Sequence, residues 1–328
     1  TYYERLSLPS QNDSFSIIGA TSGDKPIIDA DGFGPVLALS QNGTVFENLE
    51  FTHGHANNQG GAGTTSRTIS FRNCAFTNNL ANHDGGAIAV RTNGLVTFTN
   101  CSFDRNRAGV RGGALYIESA AVEVHDCVFR ENHAVGISGN DGGGAIYLWY
   151  ASPSTFSSCL IENNGTDFEA GALRSYESSF HLISNTFVDN HAHVAAGVCV
   201  LHSTSYEVVF QQNIFANNRD PVKAIFFEGD DENYTIKCND FWNHVPSTVI
   251  SSDWIGVDGN FAKDPLFCAP ESREYTLHAD SPCAPGNHPN DYACGLIGAY
   301  DVGCGTAGIP RTVEALSWGG LKARYEVE

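Results

Sequence analysis

A motif that recurs eight times at nearly constant spacing constrains the fold of this chain more than any other feature. In six copies an apolar anchor is followed three positions later by Asn, as in FTNN at Phe76 and FDRN at Phe103. Between Phe51 and Phe241, consecutive anchors lie 25 to 32 residues apart. Because self-similarity at such a period is the signature of stacked structural units, the sequence predicts a repeat protein.

Each repeat contains short alternating apolar runs, such as LVTFTNCSF and AAVEVHDCVF, separated by Asn, Asp and Gly. This pattern is typical of β-strands and turns. A repeat accommodates three strands of about four to six residues, which is one rung of a parallel β-helix. We therefore predict an all-β fold, a right-handed parallel β-helix of about nine to ten rungs with roughly 26 residues per rung.

Equivalent residues of successive rungs should lie above one another, about 4.8 Å apart, and form ladders of like side chains. The apolar anchors predict a core ladder of Phe76, Phe103, Phe129, Phe187 and Phe215. The Asn positions suit a tight bend, where an amide bonds both the backbone and its neighbour; this ladder comprises Asn79, Asn106, Asn132, Asn190 and Asn218, with Asn164 in the same column. The Gly-Gly-Ala element predicts positive φ or close approach between rungs, and the Ala fits a crowded interior corner.

Ten Cys residues fall into several groups. One ladder position is occupied by Cys74, Cys101, Cys127 and Cys159. A metal or redox array would need accompanying CxxC or His–Cys spacing, and its absence favours buried thiols. The last four Cys crowd into a Pro- and Gly-rich segment, where the simplest of three connectivities is Cys268–Cys283 with Cys294–Cys304. Such disulfides predict an oxidising location, secreted or at the cell surface.

The formal charge of −19 disfavours nucleic acid and anionic membrane surfaces as partners. No apolar run is long enough to span a bilayer. We expect no cofactor; Ca²⁺ is the one cation that DADG, with Asp29 and Asp31, suggests, but the motif lacks the other ligands of a calcium loop and a bend explains it better. The remaining candidate binding residues, Asn140 and Asp141, lie in the inserted loop GISGNDGGG of the longest rung.

The final residues alternate between an apolar and a charged face, which is typical of a half-buried strand. The apolar face and its neighbouring Trp are Trp318, Leu321, Ala323, Tyr325 and Val327. This strand either folds back on its own solenoid, serves as a sorting tail, or docks on another copy and builds a filament through an open N-terminal rung. We predict three parts: β-helix repeats at 1–259, a Cys-rich rung and cap at 260–304, and a linker with this strand at 305–328.

The paired FxxN and GGA[I/L] elements, FDRN with GGAL and FTNN with GGAI, resemble the repeats of chlamydial polymorphic membrane protein adhesins. NFAKDPLFC at Asn260 and CGLIGAY at Cys294 are similar to secreted bacterial right-handed β-helix proteins of the pectate-lyase-like superfamily. These resemblances imply a right-handed β-helix in an extracellular or cell-surface location. With the adhesins as the nearest repeat type, we expect a structural or adhesive role, with the protein itself, a surface or a glycan as partner.

That superfamily also contains polysaccharide lyases, hydrolases and epimerases, so an enzyme or glycan-binding module is the alternative. The carboxylate and basic motifs of such enzymes are not found in their expected order: the chain has NTF at Asn185, HGH at His53 and TIK at Thr235. We identify no catalytic residue and no metal-binding residue. The sequence therefore favours the non-enzymatic interpretation.

Overall fold

Strands from equivalent positions of successive repeats pair in parallel, and this pairing builds a solenoid. The predicted all-β parallel β-helix is confirmed. We describe it in a computed structural model, which covers residues 1–3, 6–7, 16–20, 23–138, 141–193, 197–201, 206–218, 225–228, 233–243 and 254–305. The predicted assembly strand, with Trp318, Leu321, Ala323, Tyr325 and Val327, and the candidate Asn140 lie outside the described residues.

Four parallel sheets run along the solenoid in the described ranges. Sheet I contains Tyr2–Tyr3, Ile27–Asp29, Glu50–Thr52, Ala75–Thr77, Ser102–Asp104, Val128–Arg130, Leu160–Glu162, Thr186–Val188, Ile214–Ala216 and Asp240–Trp242. Sheet II contains Ser16–Ile18, Thr44–Glu47, Thr68–Arg72, Leu95–Thr99, Ala121–His125, Ser154–Ser157, Phe180–Ile183, Val208–Gln211 and Tyr234–Lys237. Sheet III contains His55–Ala56, Leu80–Ala81, Arg107–Ala108, His133–Ala134 and Gly165–Thr166. Sheet IV contains Gly63–Thr65, Ile88–Arg91, Leu115–Glu118, Ile146–Trp149, Leu173–Tyr176, Val198–Leu201 and Ile225–Glu228.

Each central rung passes through sheets II, I, III and IV before the next rung begins. The prediction of three strands per rung is therefore wrong for these rungs, which have a fourth strand of two residues in sheet III. The extra strand forms because the chain runs straight for two residues after the Asn bend, in register with the neighbouring rungs. A separate pair, Leu6–Ser7 and Leu37–Ala38, adds a short two-stranded sheet.

Stacked aromatic rings fill the core, as the repeat predicts. In sheet I the rings of Phe76, Phe103 and Phe129 stack with centroids 4.9 and 4.6 Å apart. Phe187 and Phe215 continue the same column at 4.8 Å. Burying each such side chain contributes about 2–3 kcal/mol. A second column, on sheet II, meets the first edge to face and contains Phe46, Phe71 and Phe98.

Asparagine amides hold the bend between sheets I and III. The backbone N–H and the Nδ2 of Asn79 both donate to Oδ1 of Asn106, at 3.1 and 2.9 Å. Nδ2 also donates to the carbonyl oxygen of Phe51 at 3.1 Å. The residue before each Asn adopts the left-handed conformation, for example Asn78 at φ 53°. The column continues in the same way through Asn106, Asn132, Asn164, Asn190 and Asn218, so the predicted ladder is confirmed.

The Gly-Gly pair before sheet IV serves both predicted purposes. Gly112 has φ 61°, in the left-handed region that favours glycine. A Cβ on Gly113 would lie only 2.1 Å from the carbonyl oxygen of Gly144 in the next rung. The Ala that follows, Ala114, is fully buried in the core. These contacts explain why the element recurs at every rung in this part of the chain.

Residues 260–304, which we call the C-terminal segment, extend the solenoid and then return along sheet I. Oδ1 of Asn260 accepts the backbone N–H of Asn239 at 3.0 Å. The segment then forms its own sheet from Phe267–Ala269, Glu274–His278 and Val302–Cys304, with a 3-10 helix at Pro270–Ser272. Tyr275 from this sheet packs on the outward side chains Leu160 and Val188 of sheet I. The segment therefore covers part of the outer face of sheet I.

One disulfide attaches the C-terminal segment to the solenoid and a second lies within the segment, but they are not the predicted ones. Cys238 pairs with Cys294 and Cys268 pairs with Cys304, so the predicted Cys268–Cys283 and Cys294–Cys304 bonds are wrong. Cys283 is a free thiol in an apolar cluster with Ile214 and Leu277. The correct pairs depend on which strands meet after folding. Cys238 lies in the last described bend of the solenoid. The spacing of the Cys residues in the sequence did not indicate that Cys238 pairs with Cys294.

Candidate functional site

The two candidates of the DADG motif stabilise a bend. Oδ1 of Asp29 accepts the backbone N–H of Asp31 at 2.9 Å, and both of its carboxylate oxygens lie 3.1 Å from Nδ1 of His53. Asp31 has φ 48°, a left-handed turn conformation. Within the described ranges, no group of three or more His, Cys, Asp or Glu residues is placed to hold a metal ion. The observed contacts are those of an Asx bend.

Asp141, the third candidate, closes the inserted loop against sheet IV. Its Oδ2 accepts the backbone N–H groups of Ile137 and Ser138 and the Ser138 hydroxyl, at 3.1, 2.9 and 2.9 Å. Its Oδ1 receives Nε of Arg111 at 2.9 Å. Asp29 belongs to sheet I and Asp141 precedes sheet IV, so the structure does not bring the predicted candidates together.

A buried polar column lies beside the outer face of sheet IV. Asp84, Arg111, Gly142 and Glu169 follow one another in parallel bridges from rung to rung. Arg174, on the strand Leu173–Tyr176, is 0% exposed, and its guanidinium lies 2.8 Å from Oε2 of Glu169. A buried guanidinium needs such a partner, because an unpaired charge would pay the full cost of desolvation. These bridges and the ion pair therefore hold the loops in place over the outer face of sheet IV.

Aromatic side chains continue outward from this column. The rings of Trp149 and Tyr176, on neighbouring strands of sheet IV, stack with centroids 4.6 Å apart. Tyr150 meets both rings edge to face, at 5.3 and 5.5 Å, and is 41% exposed. The guanidinium of Arg111 lies 4.9 Å from the centroid of Trp149 and 5.5 Å from that of Tyr147. We call Arg111, Trp149, Tyr150 and Tyr176 the aromatic surface; the ring of Tyr147 is fully buried beside it.

The backbone explains why the aromatic surface forms at this place. Tyr147 and Trp149 alternate with core residues on the strand Ile146–Trp149, so both point away from the core ladder. Tyr150 has φ 47°, which places it at the bend after the strand. Burial raises the pKa of Tyr116, in the same outward column as Tyr147, so its phenol stays protonated at neutral pH. The surface thus offers the rings of Trp149, Tyr150 and Tyr176 and the guanidinium of Arg111.

Sequence reasoning missed the aromatic surface, although the chain contains a signal for it. The runs LYIE, IYLW and LRSY occupy the same strand position in consecutive rungs. Aligning them by rung shows Tyr116 above Tyr147, and Trp149 above Tyr176. Outward aromatic residues in register are unusual on a water-exposed face, because exposed aromatic surface normally marks interaction sites.

A second concave feature lies between the solenoid and the C-terminal segment. Its volume is about 550 Å³. The solenoid contributes Glu162, Asp189 and His191 to its lining, and the C-terminal segment contributes Glu271, Arg273 and Tyr275. We call it the C-terminal cleft. None of these residues was a candidate from sequence, because the cleft exists only where the returning segment meets sheet I.

The sheet pairing and the ladders define this chain as a parallel β-solenoid. The family model of the right-handed β-helix region matches residues 28–143 and 137–241. The chain therefore belongs to the right-handed β-helix family. No curated protein and no solved structure matches it. The described residues include no membrane-spanning helix.

Proposed function

We propose that this β-solenoid is an extracellular, non-enzymatic adhesive protein that binds glycans through its aromatic surface. The observation that carries the proposal is the cluster of Trp149, Tyr150 and Tyr176 on the outer face of sheet IV, with Arg111 beside it. An isolated scaffold has no need of such a cluster, whereas binding surfaces are enriched in Tyr, Trp and Arg.

The chemistry of the aromatic surface suits a sugar. The C–H groups of a pyranose ring carry partial positive charge and pack on the negative faces of aromatic rings. The phenol of Tyr150 and the guanidinium of Arg111 supply hydrogen-bond donors for hydroxyl groups. Because the protein's formal charge is −19, we expect neutral glycans to bind better than polyanionic ones.

Two features support a location outside the cytoplasm. Disulfides persist in oxidising compartments, and two of them involve the C-terminal segment. The FxxN and GGA[I/L] repeats resemble those of the chlamydial polymorphic membrane protein adhesins. We take that resemblance as support for a cell-surface role in attachment.

The proposal predicts that Trp149→Ala and Tyr150→Ala each weaken glycan binding by about tenfold, which corresponds to about 1.4 kcal/mol for one lost aromatic contact. Binding would be measured on an array of neutral and anionic glycans, then by titration calorimetry with the best ligand. Phe33→Ala, at an aromatic residue that is 81% exposed elsewhere, is the matched control and should bind normally.

Equal binding by wild type and by both surface variants would contradict the proposal. A reducing-end assay on the same glycans tests the alternative: new chain ends that appear with wild type, but not with buffer, would mean that the protein is a polysaccharide-acting enzyme.

Head-to-tail self-assembly is the structural part of the proposed role. An edge strand presents unpaired N–H and C=O groups that pair with an added strand. The alternating residues Leu321 to Val327 supply a strand of the right pattern. A contact between unlike surfaces does not close on itself, so repeated docking would build a filament.

A further inference from the structure

The C-terminal cleft is a preformed concavity whose two walls are fixed to each other. The phenol of Tyr275 donates to Oε1 of Glu162 at 3.1 Å. Nη2 of Arg273 lies 2.6 Å from Oε1 of Glu131, and its Nε lies 3.5 Å from Oε1 of Glu162. The Cys268–Cys304 disulfide joins the outer strands of the sheet that carries Tyr275. A ligand therefore meets a rigid cleft and need not order it, which favours affinity.

The size of the cleft is that of a small-molecule site, and its lining is mostly polar. Its volume of about 550 Å³ falls within the range of about 300–1,000 Å³ that small-ligand sites occupy. Tyr275 is 3% exposed and lies at the base of the cleft, held edge to face by Phe267 with centroids 5.2 Å apart. His191, on the opposite wall, adds a polar ring that is exposed to solvent.

Carboxylates outnumber basic groups among the described residues that line the cleft. They are Glu162, Asp189 and Glu271, with the guanidinium of Arg273. Glu162 contributes to the pKa shifts of two neighbouring groups, in each case after a larger cause. Burial, and then Glu162, raise the pKa of Tyr275, with Asp189 adding to the shift. The hydrogen bond to Glu131 raises the pKa of Arg273, and Glu162 acts in the same direction.

We propose that the C-terminal cleft binds an ammonium or guanidinium group carried by a small polar molecule of disaccharide to tripeptide size. Asp189 and Glu271, one on each wall, receive the cationic group, and the phenol of Tyr275 closes the base of the cleft beside it. Glu162 remains engaged by Arg130, Arg273 and Tyr275 and keeps the walls together. This site is separate from the aromatic surface and does not depend on the proposed glycan binding.

Calorimetry at low ionic strength, at a pH where the amines are protonated, tests the proposal with two matched pairs of probes. One pair is the β-1,4-linked glucosamine disaccharide and its N-acetylated form. The other is the end-blocked tripeptide Gly-Lys-Gly and its Nζ-acetylated form. We expect at least one cationic probe to bind and both neutral forms to fail. The pair that responds identifies an amino sugar or a basic peptide as the source of the cation.

Variants on the two walls locate the bound cation. Asp189→Asn and Glu271→Gln should each lower the affinity of the cationic probe about tenfold, because each removes one charge-assisted contact. Asn tolerates the left-handed conformation of Asp189, which has φ 55°, so this variant should fold normally. Asp280→Asn is the matched control, since this carboxylate lies on the same segment but does not line the cleft.

Three results would overturn the proposal. They are equal binding of the cationic and neutral probes, unchanged affinity in the Asp189→Asn/Glu271→Gln double variant, and no binding of either cationic probe. Trp149→Ala should leave binding of the cationic probes unchanged. Because this variant alters only the aromatic surface, it shows whether a loss of binding arises at the cleft or at the aromatic surface.

Discussion

At the residue scale, Cys and Asn side chains make equivalent hydrogen bonds. They occupy one column of stacked residues at the bend between sheets II and I. Oδ1 of Asn185 accepts the N–H of Cys159 at 2.9 Å, and its Nδ2 donates to the carbonyl oxygen of Phe156 at 2.9 Å. One part of the column uses Cys for these bonds. There the thiol of Cys127 accepts the N–H of Cys101 at 3.3 Å. The Cys ladder is thus a weaker copy of the Asn ladder.

This equivalence predicts the effect of substitutions at Asn185. Asn185→Ala should destabilise the protein by about 2–4 kcal/mol, because it leaves a buried N–H and a buried carbonyl without their partner. Asn185→Cys should cost clearly less, since a thiol already bonds the same groups at Cys127. The midpoint of urea unfolding, with disulfides intact, measures both variants. Asn57→Ala, at an exposed Asn, is the control, and equal losses for Ala and Cys at Asn185 would refute the equivalence.

At the element scale, the C-terminal segment is attached to the last described rung through a buried carboxyl group. Oδ1 of Asp240 accepts the backbone N–H of Lys263 at 3.0 Å, and Oδ2 lies 3.3 Å from Sγ of Cys283. Burial raises the pKa of Asp240 to about 8, while the bonds from Lys263 and Cys283 oppose the shift. Asp240 therefore carries a proton at neutral pH in the folded protein.

The raised pKa gives a pH dependence of stability with a definite sign. An unfolded Asp titrates near pH 3.9, so between about pH 4 and pH 8 the folded state binds more protons than the unfolded state. Asp240 therefore lowers the free energy of unfolding as pH rises through this window, by at most about 1.4 kcal/mol per pH unit. Asp240→Asn removes this contribution and keeps an oxygen for Lys263.

Thermal unfolding of wild type and Asp240→Asn from pH 4 to pH 9 measures the difference. The stability of the variant relative to wild type should rise with pH across the window and level off above about pH 8. Asp258→Asn, at an exposed carboxylate nearby, should follow wild type. A constant difference between wild type and Asp240→Asn at every pH would show that Asp240 does not titrate in this window.

The solenoid itself could be predicted from sequence because its contacts repeat. A ladder places residues such as Phe76 and Phe103 in contact, so one correct alignment of rungs predicts many contacts at once. The disulfides, the cleft and the cover over sheet I do not repeat. They depend on which part of the solenoid the C-terminal segment packs against after folding. The spacing of residues along the chain carries little information about that contact.

The sequence nevertheless contains one local signal that the C-terminal segment covers part of sheet I. Outward residues of sheet I are polar at Ser102 and Asp104 but apolar at Leu160, Val188 and Ile214. This change marks the rungs that the C-terminal segment covers. The residues of the aromatic surface can also be recognised in the sequence, but only when the strands of sheet IV are aligned in their correct register. The Gly-Gly elements alone do not define that register.

At the scale of the whole molecule, self-assembly is the prediction that depends on the residues after Gly305. A form that ends at Gly305 should remain monomeric, while the full chain should form filaments visible by electron microscopy. Leu321→Asp should also prevent filaments, because it places a charge on the apolar face of the strand. Lys322→Ala, on the opposite face, is the control. Filaments that persist after truncation, or their absence from the full chain, would contradict assembly through this strand.

The direction of the Asn bonds has a consequence for the molecule as a whole. Each amide from Asn79 to Asn190 donates to the amide of the following rung, and the column from Asn185 to Asn239 is oriented in the same way. The side-chain dipoles therefore add along the axis, as peptide dipoles add in an α-helix. The solenoid is therefore a polar rod, with the amide oxygens of these columns facing its N-terminal end and the amide nitrogens facing its C-terminal end.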